Sequence, residues 1–344
     1  MPYDLGGFEF DVAEFFTDKC FAAITDVRVS RPDAVREHAV ARKRRESLTK
    51  DGKLVILAAD HPGRNITKSG DAPLIMGNRQ EYLGRVLRVV TADHVDGLMG
   101  TPDVLEDALA ADMLVQEGGG ASFLDGKLLV GSMNRGGLAG ASFEMDDKYT
   151  SFTAASIAGL NMDAAKIMFR LDLTNADSGK TIHYSSQAID ECHELGITVF
   201  AEPLPVVHEG GKYNVQKEAG ELAKIAGVAA AVGGSSLGTW LKMPYCEGYD
   251  RVARATTLPI LMLGGESLGN PTPIIEDFAN GMAAGPNVRG ALCGRNILFP
   301  GDDDPRAVAA AVSAVVHEGA SAGSAVDKLQ SVRGEDMGGL SKWV

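Results

Sequence analysis

Short apolar runs recur along the chain, each followed by a stretch in which apolar residues return every three or four positions. Eight runs have strand character: 53–59 (KLVILAA), 95–100 (VDGLMG), 127–133 (KLLVGSM), 165–171 (AKIMFRL), 197–203 (ITVFAEP), 239–243 (TWLKM), 258–263 (LPILML) and 288–294 (VRGALCG). Nearly continuous apolar character marks strands buried on both faces, as in parallel sheets. Between them lie amphipathic segments such as 78–90, 101–115 and 177–196, the last ending on Gly196. A glycine at that position suits a helix C-terminus. Strand and helix in alternation predict βαβ units, and eight such units close into a (β/α)8 TIM barrel. The rival, an open doubly wound sheet, calls for a GxGxxG turn early in the chain, and none follows the first run.

Residues 1–52 precede the barrel as an N-terminal helical extension, with a charged helix expected over 31–49 that caps the barrel bottom or meets a neighbouring subunit. The barrel domain spans 53–318, and the small, polar tail 319–344 is expected to drape over the surface. The 344 residues carry a formal net charge of −13, which argues against nucleic acid and against an anionic membrane as partners. No apolar run approaches the length of a membrane span, and the N-terminus lacks the pattern of a signal peptide. Four scattered cysteines without CxxC spacing read as reduced thiols of a cytoplasmic protein.

In a TIM barrel the chemistry gathers at the C-terminal ends of the strands. The first strand ends in Asp60-His61-Pro62-Gly63-Arg64 and the third in Asn134-Arg135-Gly136-Gly137. The fourth carries Lys166, Arg170 and then Asp172, the fifth ends in Glu202, and the sixth carries Lys242. Gly264-Gly265-Glu266 and Gly294-Arg295-Asn296 close the last two. Lys166 and Lys242 sit among large apolar residues. Either they snorkel to the rim, or they are buried amines with lowered proton affinity, able to attack a carbonyl. Glu202 beside them serves as a proton carrier or as a plain ion-pair partner. The paired glycine turns with Arg295 suit phosphate. Arg135 and Arg170 either hold a substrate carboxylate or pair with the acidic residues of 143–147. Asp60-His61 as metal ligands find no HxH or HExxH support.

The segments AADHPG, TWLKMPY, LPILMLGGES and GALCGRNIL resemble the class I aldolases of the deoxyribose-phosphate, archaeal-type fructose-bisphosphate and tagatose-bisphosphate superfamily, over about residues 53–318. AAKIMFRLD and VFAEPLP are similar to the tagatose-bisphosphate branch. The segment SMNRGGLAGASFEMDDKYT is similar to an actinobacterial barrel family encoded beside inositol-catabolism genes. The resemblance implies Lys242 as the Schiff-base lysine, Asp60 as a contact to substrate hydroxyls, and Lys166 with Glu202 as the proton-transfer pair. It places phosphate at Gly264, Gly265, Gly294 and Arg295. One departure stands out: archaeal fructose-bisphosphate enzymes use a tyrosine on the fourth strand, and KIMFRL has none.

The expectation is therefore a lyase: a class I aldolase without metal or cofactor, releasing dihydroxyacetone phosphate from a phosphorylated keto-acid or keto-sugar. The inositol-linked 2-deoxy-5-keto-gluconate 6-phosphate fits Arg135 and Arg170. Deoxyribose-phosphate or fructose-bisphosphate cleavage, a non-covalent phosphosugar isomerase or epimerase, a non-catalytic sugar-phosphate sensor and a metal-dependent aldolase are the alternatives. A sugar phosphate is the expected small-molecule partner, and barrels of this kind imply a homo-oligomer.

Overall fold

The structure is a computed structural model, and it describes residues 3–344. Nine strands form: β1 (Leu54–Ala59), β2 (Gly97–Gly100), β3 (Leu128–Ser132), β4 (Ala164–Leu171), β5 (Thr198–Glu209), β6 (Lys212–Val215), β7 (Thr239–Pro244), β8 (Ile260–Leu263) and β9 (Val288–Cys293). All but β6 pair in parallel, in the order β4-β3-β2-β1-β9-β8-β7-β5, and a β4–β5 ladder closes the ring. This is the (β/α)8 barrel the apolar runs predict, with β7 as its sixth strand. The helices Arg79–Val90, Pro102–Glu117 and Asp177–Glu194 fall where the amphipathic stretches place them.

Side chains alternate across each strand, so one parity fills the barrel and the other faces the helices. Leu54, Ile56 and Ala58 of β1 point inward with Ala164, Phe200, Leu261 and Leu292, while Val55, Leu57 and Ala59 join the larger core outside. The same parity decides the site. Two residues beyond Ala58, Ala164, Phe200 and Trp240 come Asp60, Lys166, Glu202 and Lys242. Phe200 and Trp240 meet edge-on at 6.1 Å beneath Glu202 and Lys242, level with Lys166.

Three segments depart from the sequence-based expectation. The charged stretch 31–49 is helical only as Pro32–Ala41, after a separate helix Asp18–Ser30. Beyond it the chain runs as a non-helical strap across the barrel bottom, because its arginines find carboxylates at the strand starts. Arg42 and Arg44 both grip Asp163, Arg45 grips Asp96, and Leu48 packs into the barrel's lower end. The tail does not merely drape: Ala322–Val332 is a helix that buries Ala325, Val326 and Leu329 against the core. Finally, β5 does not stop at Pro203. It continues to Glu209, turns at Gly210 and Gly211, both at positive φ, and pairs antiparallel with β6.

Candidate active site

Four charged side chains meet beside and above the Phe200–Trp240 pair. The Lys166 Nζ lies 3.0 Å from Asp60 Oδ2 and 2.9 Å from Glu202 Oε2. The Lys242 Nζ donates to the same Glu202 Oε2 at 2.9 Å. Both lysines are buried, Lys166 at 0% and Lys242 at 4% exposure, so neither snorkels to the rim. Two oxygens are left over: Asp60 Oδ1 is buried without a hydrogen bond. No described residue bonds Glu202 Oε1, since both lysines use Oε2.

The electrostatics follow from this crowding. Burial would raise the Glu202 carboxyl, but Lys166, Lys242 and Arg64 outweigh it and hold it at about 2. Burial likewise opposes ionisation of Asp60, and Lys166 and Arg64 hold it well below the usual carboxylate range. For Lys242 the balance tips the other way. Burial pushes its ammonium below the ordinary lysine range; Glu202 pulls it back up, and Lys166 adds to the downward push. His61, buried next to Asp60, is driven down to about 3 chiefly by burial, and is a neutral imidazole.

A cavity of about 510 Å³ opens over this ring at the C-terminal ends of the strands. Glu202 and Lys242 face it, together with His61, Arg64, Arg135 and Arg295. Lys166 and Asp60 do not: they lie one layer deeper, behind Glu202 and Lys242. The β1 carboxylate is thus placed to hold Lys166, rather than on the wall where the resemblance implies a hydroxyl contact.

The two glycine turns meet where expected. A Cβ on Gly294 would fall 2.3 Å from His61 Cε1 and 2.5 Å from the Ala58 carbonyl oxygen. One on Gly264 would fall 2.5 Å from Cys293 Sγ. Only glycine allows these turns to pack so closely beside the cavity. Gly265 has φ +71°, and the Lys217 amine lies 3.7 Å from the position its Cβ would take. Arg295 faces the same end, its Nε buried and unpaired.

For Arg170 the structure shows the second of the two expectations, pairing with the acidic stretch 143–147 rather than a cation left for a substrate carboxylate. Its guanidinium is spent on Glu144, bonding the carboxylate, the Glu144 carbonyl and the Gly136 carbonyl, so it braces the 134–150 loop. Arg135 is half-exposed on the cavity wall, with one bond to Thr150 Oγ1. Sequence reasoning placed Arg64 at the end of the first strand without giving it a role, and missed Lys212 and Lys217; all three line the cavity. The two lysines come from β6 and the segment after it. Alternating VVHEGGKYNV with its central glycine pair was the available hairpin signal. Among the described residues, no three His, Cys, Asp or Glu side chains cluster as metal ligands. No described helix is long and apolar enough to cross a membrane.

A sequence model of the Cgl0159-like family matches residues 52–316. The chain belongs to the Cgl0159-like family. The crystal structure of Cgl0159 from Corynebacterium glutamicum is 35% identical, covers 88% of this chain and 98% of its own, and superposes with a TM-score of 0.81. More distant barrels share the fold. An archaeal fructose 1,6-bisphosphate aldolase is 16% identical over 83% of this chain and 99% of its own, with a TM-score of 0.55. The fructose-bisphosphate aldolase of Slackia heliotrinireducens is 15% identical over 94% of each chain, with a TM-score of 0.57. Among curated proteins, 2-amino-3,7-dideoxy-D-threo-hept-6-ulosonate synthase 1 of Archaeoglobus fulgidus is 24% identical over 279 residues, 80% of this chain and 90% of its own. These more distant likenesses show the same barrel fold as this Cgl0159-like chain.

Proposed function

We propose that this Cgl0159-like protein is a class I aldolase with Lys242 as its Schiff-base nucleophile. One observation carries the reading: a buried amine at the cavity floor, with a second lysine and a shared carboxylate in contact. An amine must be neutral to attack a ketone, and burial beside Lys166 supplies that form at lower pH than for a free lysine. Attack, uptake of one proton and loss of water give an iminium on Nζ. The iminium draws in the electron pair of the C–C bond between its α- and β-carbons, and the β-carbon leaves as an aldehyde. The lysine, now a neutral enamine, no longer lends Glu202 a positive charge. Glu202 becomes more basic at the step where a proton must be held. That proton then goes to the enamine carbon, and water releases the ketone. The lysine itself is the electron sink, so the chemistry calls for no cofactor.

The turns at Gly264-Gly265 and Gly294-Arg295, with Lys217 beside them, suit a phosphate on the ketone half. This supports dihydroxyacetone phosphate as the released ketone. The substrate is then a phosphorylated keto-sugar or keto-acid. Arg135, on the cavity wall with no carboxylate partner, favours a keto-acid such as 2-deoxy-5-keto-gluconate 6-phosphate. The test is to incubate the protein with dihydroxyacetone phosphate, reduce with borohydride and measure the intact mass. A single adduct is expected, absent in Lys242→Ala. No adduct, or one that survives Lys242→Ala, overturns the reading.

A further inference from the structure

Glu202 is a poor base while both lysines touch it, and a sugar hydroxyl is a poor acid. Cleavage needs that hydroxyl to give up its proton as its oxygen becomes the carbonyl of the departing aldehyde. A donor aimed at this oxygen lowers the barrier by stabilising its developing negative charge. The cavity holds a candidate that nothing above has used.

Arg64 is a cation without a committed partner. Its side chain is 15% exposed, and its nearest carboxylate oxygen is Asp60 Oδ1, at 3.9 Å from Nη1. That is beyond hydrogen-bond reach. Its Nε is buried and unpaired. It contrasts with Arg170, whose guanidinium makes three bonds to Glu144 and the Gly136 carbonyl. The Arg64 backbone, by comparison, is firmly set. Its N–H donates to the His61 carbonyl at 3.0 Å, and its carbonyl accepts from Ala139 N–H at 3.1 Å. Asn65 Nδ2 donates to the Ala139 carbonyl at 3.0 Å. The loops after β1 and β3 thus hold a guanidinium with free donors over the reactive ring. It faces the same cavity as Glu202, whose Oε1 is also free.

We propose that Arg64 binds the reacting oxygen of the aldehyde half of the substrate while Glu202 Oε1 takes its proton. This rests on the Schiff-base reading above. In the cleavage direction the O–H bond breaks and its proton passes to Glu202. The O–H electron pair becomes the new C=O π bond, and the C–C pair moves into the iminium to give the enamine. Arg64 donates to that oxygen throughout and undergoes no net change. In the condensation direction the same donors polarise the incoming aldehyde. Arg64 is therefore a catalytic residue of the C–C step alone, with no part in Schiff-base formation.

That division supplies the test. Arg64→Met and Arg64→Lys are compared with the wild type in two measurements. One is borohydride trapping of dihydroxyacetone phosphate on Lys242. The other is condensation of dihydroxyacetone phosphate with a panel of phosphorylated and carboxylated aldehydes, including glyceraldehyde 3-phosphate and malonate semialdehyde. Trapping in both variants is expected within about 3-fold of the wild type, which also shows that they fold. Condensation is expected to fall about 100-fold or more in Arg64→Met, with roughly 10-fold recovered in Arg64→Lys. Condensation within 3-fold of the wild type, or an equal fall in trapping and condensation, overturns the Arg64 assignment and leaves the aldolase reading intact. A wild type that traps no adduct, or that condenses with no aldehyde of the panel, overturns both.

Discussion

The two ends of the barrel carry charge networks of similar size and opposite character. At the bottom, Asp163 Oδ2 accepts from Arg42 and from the Leu129 N–H, and Oδ1 accepts from Arg44. Asp96 accepts from Arg45 through Oδ1 and from the Val55 N–H and His317 through Oδ2. Every carboxylate oxygen there has a partner, and most of the cations are arginines, which keep their charge. At the top the paired cations are lysines, and Asp60 Oδ1 and Glu202 Oε1 are left open. Arginines around fully engaged carboxylates fix geometry. An open network of lysines keeps proton affinities adjustable and leaves places for a ligand.

The sharpest way to break this contrast is Lys166→Met. It strands Asp60 and Glu202 without their shared cation, so stability is expected to fall by about 3–5 kcal/mol in denaturant titration. Turnover of the folded fraction is expected to drop by about 100-fold or more. If turnover survives, Lys166 is only a brace and the upper network is no different in kind from the lower.

Asp163→Asn is the matching change below. It frees Arg42 and Arg44 from their common carboxylate and is expected to cost about 3 kcal/mol. Borohydride trapping of the folded protein should stay at the wild-type rate. Slowed trapping would mean that the bottom network reaches the chemistry.

The smallest effect is in pH. Burial opposes the Asp96 charge, but His317, the Val55 N–H and Arg45 hold it at about 2, below its ordinary 3.8. It therefore stabilises the fold above about pH 4, and that contribution, on the order of 2 kcal/mol, fades as pH falls towards 2. Glu202 behaves alike, so acid loss is common to both ends. His317 is held above its ordinary value, chiefly by its bond to Asp96. Its stabilisation is full below the unfolded value of 6.5 and is lost as pH rises through the raised folded one. His317→Gln should abolish that alkaline decline in denaturant midpoints without altering trapping. A decline that persists would place its origin elsewhere.

The barrel was legible because buried parallel strands leave compact apolar runs, and a lysine inside such a run is conspicuous. Lys166, Glu202 and Lys242 were visible for that reason. Their layering was not, since whether a side chain faces the cavity or sits behind it depends on strand stagger around the ring. The pairing of Arg170 with Glu144, 26 residues away, was one of two expectations, and what decides between them is the fold of the intervening loop, which no local pattern carries. Pro203 and Pro205 looked like the end of β5, since proline removes a ladder donor. Both pair with β4 all the same, opposite Phe169 and Leu171. The strap after Ala41 reads as helix by composition, and only the carboxylates at the strand starts pull it straight.

On the aldolase reading proposed above, the long fifth strand has a consequence for how the site diversifies. Its ladder with β4 continues for three residues past Glu202, from Pro203 to Pro205, before the hairpin leaves the barrel. Glu202 is thus insulated from the ribbon that bears Lys212 and Tyr213 at the cavity mouth. Replacement or resizing of the hairpin would alter which molecules enter while the reacting atoms keep their places. Descent within the family can exchange one substrate for another at that tip without relearning the chemistry beneath it.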